Sequence, residues 1–318
     1  MSGAESSRTV VIEEVSKFYG DVLGVHRASL EFRPGITSLV GPNGSGKSTL
    51  MNIIAGLMRP CTGRVVALGL QPTEPEAYFR QIGYCAQFDS FPKGMSGLEF
   101  VASYLRVRGL SREEAYRQAN RALARIGMEA VAERKVAAYS KGMRQRVKLA
   151  QAIAHEPKIL ILDEPLNGLD PMARAEAMEL FREFADQSRL VLISSHILHE
   201  VDQISDRVVM MNGGYVVADG GIADVRSDIP EQAMQILIRC TDPSFLASRM
   251  FELDHVVEAR LQEDGKGLLI RTRDADRFFL SLNRSVLEHG LEVESVEPAD
   301  ESVSAVYEYL IGFDGRLE

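Results

Sequence analysis

Gly41-Pro42-Asn43-Gly44-Ser45-Gly46-Lys47-Ser48-Thr49 is the stretch on which the reading of this chain turns. It fits G-x-x-x-x-G-K-[ST], a pattern whose residue types follow from what a polyphosphate needs. Glycines let backbone N–H groups crowd around phosphate oxygens with no side chain in the way. Lys47 brings a compact positive charge to the outer phosphates, and the Ser48 hydroxyl can ligate Mg²⁺. The flanks suit this role. Residues 36–40 read as a buried strand and 48–57 as a helix, so bound phosphates would rest on a helix N-terminus.

Toward the N-terminus, 10–15 and 28–32 read as strands. Between them Phe18-Tyr19-Gly20 offers an aromatic ring just before a turn, and such a ring can stack on a base although an isolated aromatic is more often core. Beyond the loop's helix, 65–68 and 82–86 read as strands, with Gln87 closing the second. Helical periodicity follows over 97–108 and 111–126. Ser111 to Glu114 has capping-box spacing and Gly127 is a natural stop, so about 88–157 forms a helical insertion in an α/β core.

Ser140 heads a further helix running to about residue 155, and 141–150 carry four positive charges and no negative ones. Taken alone, such a run is an ordinary solvated face. Residues 158–162 are continuously apolar, as in a parallel strand covered on both faces, and end at Asp163-Glu164. Two carboxylates there are costly unless they serve something. A strand capped by Asp, downstream of a phosphate loop, has the place of an acid that holds Mg²⁺. Pro171 can begin a helix, 190–195 form another apolar strand ending at His196, and Asn212-Gly213 favours a tight hairpin turn.

Composition limits the alternatives. At 318 residues there is room for about two domains, and 45% hydrophobic with 25% charged residues is ordinary for a globular chain. No apolar run reaches the ~18 residues of a spanning helix, and residues 1–7 hold no signal-peptide core. The three cysteines lack metal spacing and suggest free thiols in a reducing compartment. The net charge of −9 is carried entirely by residues 230–318, which hold 9 basic and 18 acidic side chains. That stretch reads as β-α-β-β-α-β with a last helix over 303–310, a ferredoxin-like order without a catalytic constellation. The asymmetry argues against a nucleic-acid partner.

With these stretches in order, residues 8–225 resemble the ATP-binding subunits of ABC transporters, of the type paired with a separate permease. The resemblance implies an α/β P-loop NTPase core with an inserted helical subdomain in residues 1–229, followed by a small α+β ferredoxin-like accessory domain in 230–318. It implies that Tyr19 stacks adenine and that Gly41, Pro42, Asn43, Gly44, Ser45, Gly46, Lys47, Ser48 and Thr49 bind the phosphates of ATP. Asp163, Ser48 and Gln87 match the Mg²⁺ positions, Glu164 the catalytic glutamate and His196 the γ-phosphate histidine, with Lys47 and Gln87 also in the hydrolytic set. Ser140 and Gly142 match the signature that meets a second subunit's nucleotide, and Asp170 the loop that crosses to it. The family's commonest signature begins Leu-Ser-Gly-Gly-Gln, whereas Tyr139, Lys141 and Met143 stand here at its first, third and fifth positions, and Leu166 replaces a frequent Thr. Similar variants occur in a branch that often exports.

The implied mechanism is physically coherent. One chain's phosphate loop grips ATP while a second chain presents the dipole of its signature helix to the γ-phosphate, so ATP joins the two and ADP does not. The working form implied is a dimer of ATPase subunits, expected to be two copies, on the cytoplasmic face of a membrane beside a permease. Direct nucleic-acid contact is not expected. The rival is a soluble ABC-type ATPase acting on ribosomes or nucleic acid. Such translation factors usually carry two cassettes, and chromosome ATPases place a long coiled coil between loop and signature, whereas Gly41 and Ser140 lie 99 positions apart. A regulatory module without turnover would have no need of Glu164.

Overall fold

The computed structural model describes residues 9–186, 188–195, 198–221, 234–262 and 264–298. The chain divides into two compact units, Met1–Asp219 and Gly220–Glu318. The expected boundary lay at 229/230. The division falls at the end of the strand Tyr215–Gly220, and 222–233 lie outside the described residues.

The first unit is organised by a six-stranded sheet in the order β5-β6-β7-β3-β8-β9. Its strands are β3 (Gly35–Val40), β5 (Ile82–Cys85), β6 (Ile159–Asp163), β7 (Leu190–Ser195), β8 (Arg207–Asn212) and β9 (Tyr215–Gly220). From β5 to β8 every neighbouring pair is parallel. A separate antiparallel sheet, order β2-β1-β4, is made by β1 (Val10–Tyr19), β2 (Val22–Phe32) and β4 (Thr62–Ala67).

The continuous apolar runs of β6 and β7 are explained by two cores, one on each face of the sheet. Ile159, Ile161, Leu190 and Leu192 join Leu50, Met51, Ile53 and Ile54 of α1 (Lys47–Ile54) together with the inward residues of the antiparallel sheet. Leu160, Leu162, Val191 and Ile193 face the other way, against α5 (Lys141–Ile153) and α6 (Pro171–Ala185). Alternate side chains of one strand thus enter different cores, and a polar residue would be unpaired on either side.

The helical insertion packs α3 (Gly97–Val107) and α4 (Arg112–Arg125) with α5, and it shares the second core. Ser111 caps α4 through the Glu114 amide (3.2 Å), but the expected box does not close. The Glu114 carboxylate accepts instead from Gln118 and pairs with Arg117. The reciprocal box sits one helix earlier, where Ser96 Oγ accepts from Glu99 N (3.1 Å) and Glu99 Oε2 from Ser96 N (2.7 Å). A short helix absent from the sequence reading, α2 (Pro75–Gln81), precedes β5. The hairpin turn is Gly213-Gly214, both at positive φ, one residue beyond the expected Asn212-Gly213 pair.

In the second unit the order is β10 (Met234–Cys240), α7 (Pro243–Phe251), β11 (Val256–Leu261), β12 (Gly267–Thr272), α8 (Ala275–His289) and β13 (Val293–Pro298). All its pairings are antiparallel, in the order β11-β12-β10-β13. Ile236, Ile238, Leu246, Met250, Phe278 and Leu282 form its own core, so helices and sheet supply one face each. The last helix expected over 303–310 lies outside the described residues. Cys85 and Cys240 are buried free thiols and Cys61 is an exposed one, so no described cysteine is in a disulfide.

His155, just past α5, contacts the Ile82 carbonyl through Nε2 (3.0 Å). Burial, helped by the charge of Arg108, pushes its pKa down to about 4. The folded chain therefore keeps this imidazole neutral where the unfolded chain would protonate it. Stability is present in full above about pH 6.5 and is lost as the pH falls from there toward 4, with a slope of up to roughly tenfold per pH unit in the folded ratio. Urea unfolding across that window should show the slope, and His155→Gln should flatten it. An unchanged slope in the variant would assign the loss to other groups.

Candidate active site

The parallel register brings the C-terminal ends of the central strands level. Val40 pairs with Ser195 and Asp163 with Ser194, so the phosphate loop, the acid pair and the end of β7 share one edge of the sheet. Ligand sites of open α/β sheets form on that edge.

The loop leaves β3 at Val40 and enters α1 at Lys47. Its glycines are required by contact as well as by conformation. A Cβ on Gly41 would lie 2.2 Å from the Met211 carbonyl, and one on Gly46 would lie 2.3 Å from that of Gly24, with φ at +102°. Gly46 is the N-cap of α1 and gives it no side-chain cap. The first N–H groups of the helix therefore have no side-chain acceptor at the cap position, as an anion site requires. Ser45 Oγ is buried and has no hydrogen-bond partner. An orphaned hydroxyl inside a loop of this shape fits a polyphosphate as its acceptor.

Lys47 is only 6% exposed, and its Nζ donates to the carbonyls of Gly41 (2.6 Å) and Pro42 (3.1 Å). Burial pulls its pKa below the ordinary lysine value, while the charges of Glu164 and Asp163 pull it back. The ammonium is thus held in a dry place by the acid pair it faces.

A cleft of about 420 Å³ opens over the loop, and Tyr19, Lys47, Ser48, Thr49, Gln87 and Glu164 line it. Asn43, Gly44, Ser45 and Gly46 close it on the loop side. Tyr19 is 47% exposed at the end of β1; its hydroxyl donates to Met58 Sδ (3.1 Å) and lies 3.3 Å from Thr49 Oγ1. These contacts fix one edge of the ring and leave area for a planar base.

Asp163 and Glu164 are 3% and 7% exposed. A residue that the sequence reading took only as part of a strand links them. Ser194 Oγ donates to Asp163 Oδ1 (2.6 Å) and accepts from the Glu164 backbone N–H (2.8 Å). Glu164 has φ of +51°, a costly conformation for a non-glycine residue, and Asn167 Nδ2 donates to its carboxylate (3.4 Å). Ser194 is fully buried and accounts for how two adjacent acids are tolerated. The signal was available in Ser194-Ser195, two hydroxyl residues ending an apolar strand beside the acid-capped one.

Ser140, Gly142 and Asp170 are not among the residues lining this cleft. Ser140 is the N-cap of α5, its Oγ accepting from Met143 N (3.2 Å) and keeping its own proton to donate. A Cβ on Gly142 would touch the Gly168 carbonyl at 3.4 Å, which places the signature against the loop that ends in Asp170. Asp170 caps α6 through Ala173 N (2.9 Å). Tyr139 is buried with its hydroxyl on the Val131 carbonyl (2.6 Å), so the departure from leucine is absorbed inside the helical insertion. His196 lies outside the described residues.

A family model described as ABC transporter matches residues 25–167. The ABC transporter ATP-binding protein YxlF of Bacillus subtilis is 31% identical over 299 residues, covering 93% of this chain and 97% of that one. The chain belongs to the ABC transporter family. It is an ATP-binding subunit and an ATPase. A second relative, the daunorubicin/doxorubicin resistance protein DrrA of Streptomyces peucetius, is 28% identical over 310 residues, or 97% of this chain and 94% of its own length. Among solved structures, the ATP-binding cassette MJ0796, dimeric and bound to ADP and Pi, covers 67% of this chain and 98% of its own, with 26% identity and a TM-score of 0.63.

Ser194→Ala leaves a buried carboxylate and a buried amide without their shared hydroxyl. The cassette should lose about 1–3 kcal/mol of stability to urea, the cost of unpaired buried groups. Its ATPase rate should fall while ATP still binds. A variant as stable and as fast as the parent would remove Ser194 from the site.

Proposed function

We propose that this cassette powers an exporter by closing in pairs around ATP, with a permease docked on its helical insertion. The observation that carries the reading is a site built only in part. Loop, lysine and Glu164 face the cleft, whereas Ser140 and Gly142 head a helix elsewhere in the unit. A capped helix start with a hydroxyl proton to give, and no phosphate of its own, suits the nucleotide of a second copy. The MJ0796 cassette, dimeric with ADP and Pi, supports the pairing.

In the closed pair Glu164 would accept the proton of the attacking water and Lys47 would offset charge on the outer phosphates. Asp163, Ser48 and Gln87 offer oxygen ligands suited to Mg²⁺, which when bound would neutralise the β- and γ-oxygens. His196 is assigned to the γ-phosphate by resemblance alone.

The permease needs a surface, and a groove of about 950 Å³ beside Gln87 supplies one. Phe88 is 79% exposed there and Val107 89% exposed, with Leu57, Phe79 and Tyr104 beside them. Apolar exposure of this kind favours a partner. Among the described residues no helix is long and apolar enough to cross a membrane. By its resemblance to subunits paired with a separate permease, the cassette is assigned to the cytoplasmic face beside that partner. Export is favoured by the length of the match to a relative named for drug resistance. Residues 230–318 are assigned an accessory role, because the second unit has its own core and no catalytic constellation among its described residues.

Glu164→Gln should keep ATP binding and lower turnover by roughly 10²–10⁴, the worth of a general base. With ATP and Mg²⁺ it should run as a dimer on gel filtration, and adding Ser140→Arg should return it to monomer. A dimer indifferent to Ser140→Arg would take the signature away from the interface.

A further inference from the structure

The loop that carries Gln87 is held to the signature helix by a cluster outside the nucleotide cleft. Lys148, on α5, is 5% exposed, and its ammonium has three acceptors for its three N–H bonds. It donates to the carbonyls of Ala86 and Gln87, both at 3.0 Å, and its Nζ lies 3.1 Å from Asp89 Oδ1. Arg144, one turn earlier, donates through Nε to Asp89 Oδ2 (2.7 Å) and through Nη1 to the Tyr139 carbonyl (2.6 Å).

Each part has a physical reason to act with the others. Cations at i and i+4 on a helix repel each other, and an anion between them reverses the sign. Burial works against the Asp89 charge, but bonds from Arg144 and Lys148 prevail and hold its carboxyl below the ordinary range. Lys148 gives up two charged hydrogen bonds if this short loop leaves α5, and such bonds are among the stronger ones. Gln145, also on α5, approaches Cys85 Sγ (3.8 Å) at the end of β5, adding a weaker contact along the same seam. Tyr139, which receives Arg144, immediately precedes Ser140.

We propose that Lys148, Arg144 and Asp89 are positioning residues that fasten the Gln87 loop to the signature helix, so that Gln87 in one chain's cleft and Ser140 facing the other chain's nucleotide move as one body. The proposal rests on the reading that Gln87 serves hydrolysis and Ser140 a second copy. Ala86, Phe88 and Lys148 also line the apolar groove, so a partner seated there touches the same clamp. The clamp acts after nucleotide has bound. It does not reach the phosphate loop or Tyr19, which gives a split between kcat and KM as its signature.

The test is steady-state ATPase kinetics on the full chain with Mg²⁺. Lys148→Met, which keeps the stem and loses the donors, should lower kcat about tenfold, the size expected for one lost charged hydrogen-bond set, and leave the KM for ATP within about twofold. Lys148→Arg should recover most of the rate. Asp89→Asn should match Lys148→Met, and the double variant should be no slower than the worse single one, because both remove one link. If Lys148→Met does not fold, the more exposed Asp89→Asn is judged by the same kcat and KM criterion. Gln87→Ala, measured alongside, separates the two layers. If Gln87→Ala is slow and the clamp variants run at the parental rate, the clamp is overturned. If Gln87→Ala itself runs at the parental rate, the reading of Gln87 fails and the clamp falls with it. A rate loss that Lys148→Arg does not recover, accompanied by a raised KM, would assign the cluster to general stability.

Discussion

The cassette depends on keeping the ammonium of Lys47 out of water within the field of two carboxylates. In isolation each of these charges would be expelled or neutralised by burial. Together they persist, because the loop carbonyls of Gly41 and Pro42 take the ammonium's protons and Ser194 takes up part of the acid pair's demand. The parallel register of β3, β6 and β7 sets all of them on one sheet edge. Two cores, one on each face of that sheet, make the register rigid. The loop's glycines cannot carry side chains because the Met211 and Gly24 carbonyls crowd them, and a polyphosphate would supply the acceptor that Ser45 Oγ lacks.

Much of this was legible in the sequence because it follows from spacing. The phosphate loop is a local motif, and its flanking strand and helix fall where the apolar periodicity puts them. The parallel strands were readable because burial on both faces forbids polar interruption, as at 158–162 and 190–195. The acids at 163 and 164 stood out as charges ending such a run. What escaped was tertiary. Ser194 is unremarkable until β6 and β7 pair and put its hydroxyl between a carboxylate and an amide. The spacing at Ser111 suits a capping box, yet Glu114 finds Gln118 and Arg117 a turn ahead. The basic run at 141–150 reads as a solvated face, yet two of its four cations hold the carboxylate of Asp89. A charge pattern on one helix does not reveal an anion that arrives from a loop some 50 residues earlier.

The second unit shows the same contrast. Its order of strands and helices was readable from alternation, and the observed sheet order β11-β12-β10-β13 gives both helices one apolar face to cover. Its acidic balance was countable from residue types alone. Nothing in that pattern names a partner, because a ferredoxin-like fold hosts many unrelated roles.

In the proposed working pair each nucleotide site is completed by two chains, a phosphate loop from one and a signature helix from the other. Trans-complementation tests this most directly. Lys47→Ala disables the loop and Ser140→Arg the signature, so a pair made of either variant alone has two broken sites. A mixed pair has one intact site, formed by the loop of the Ser140→Arg chain and the signature of the Lys47→Ala chain. Neither variant should hydrolyse ATP alone, and mixing them should restore activity. A mixture as inactive as its components would contradict it.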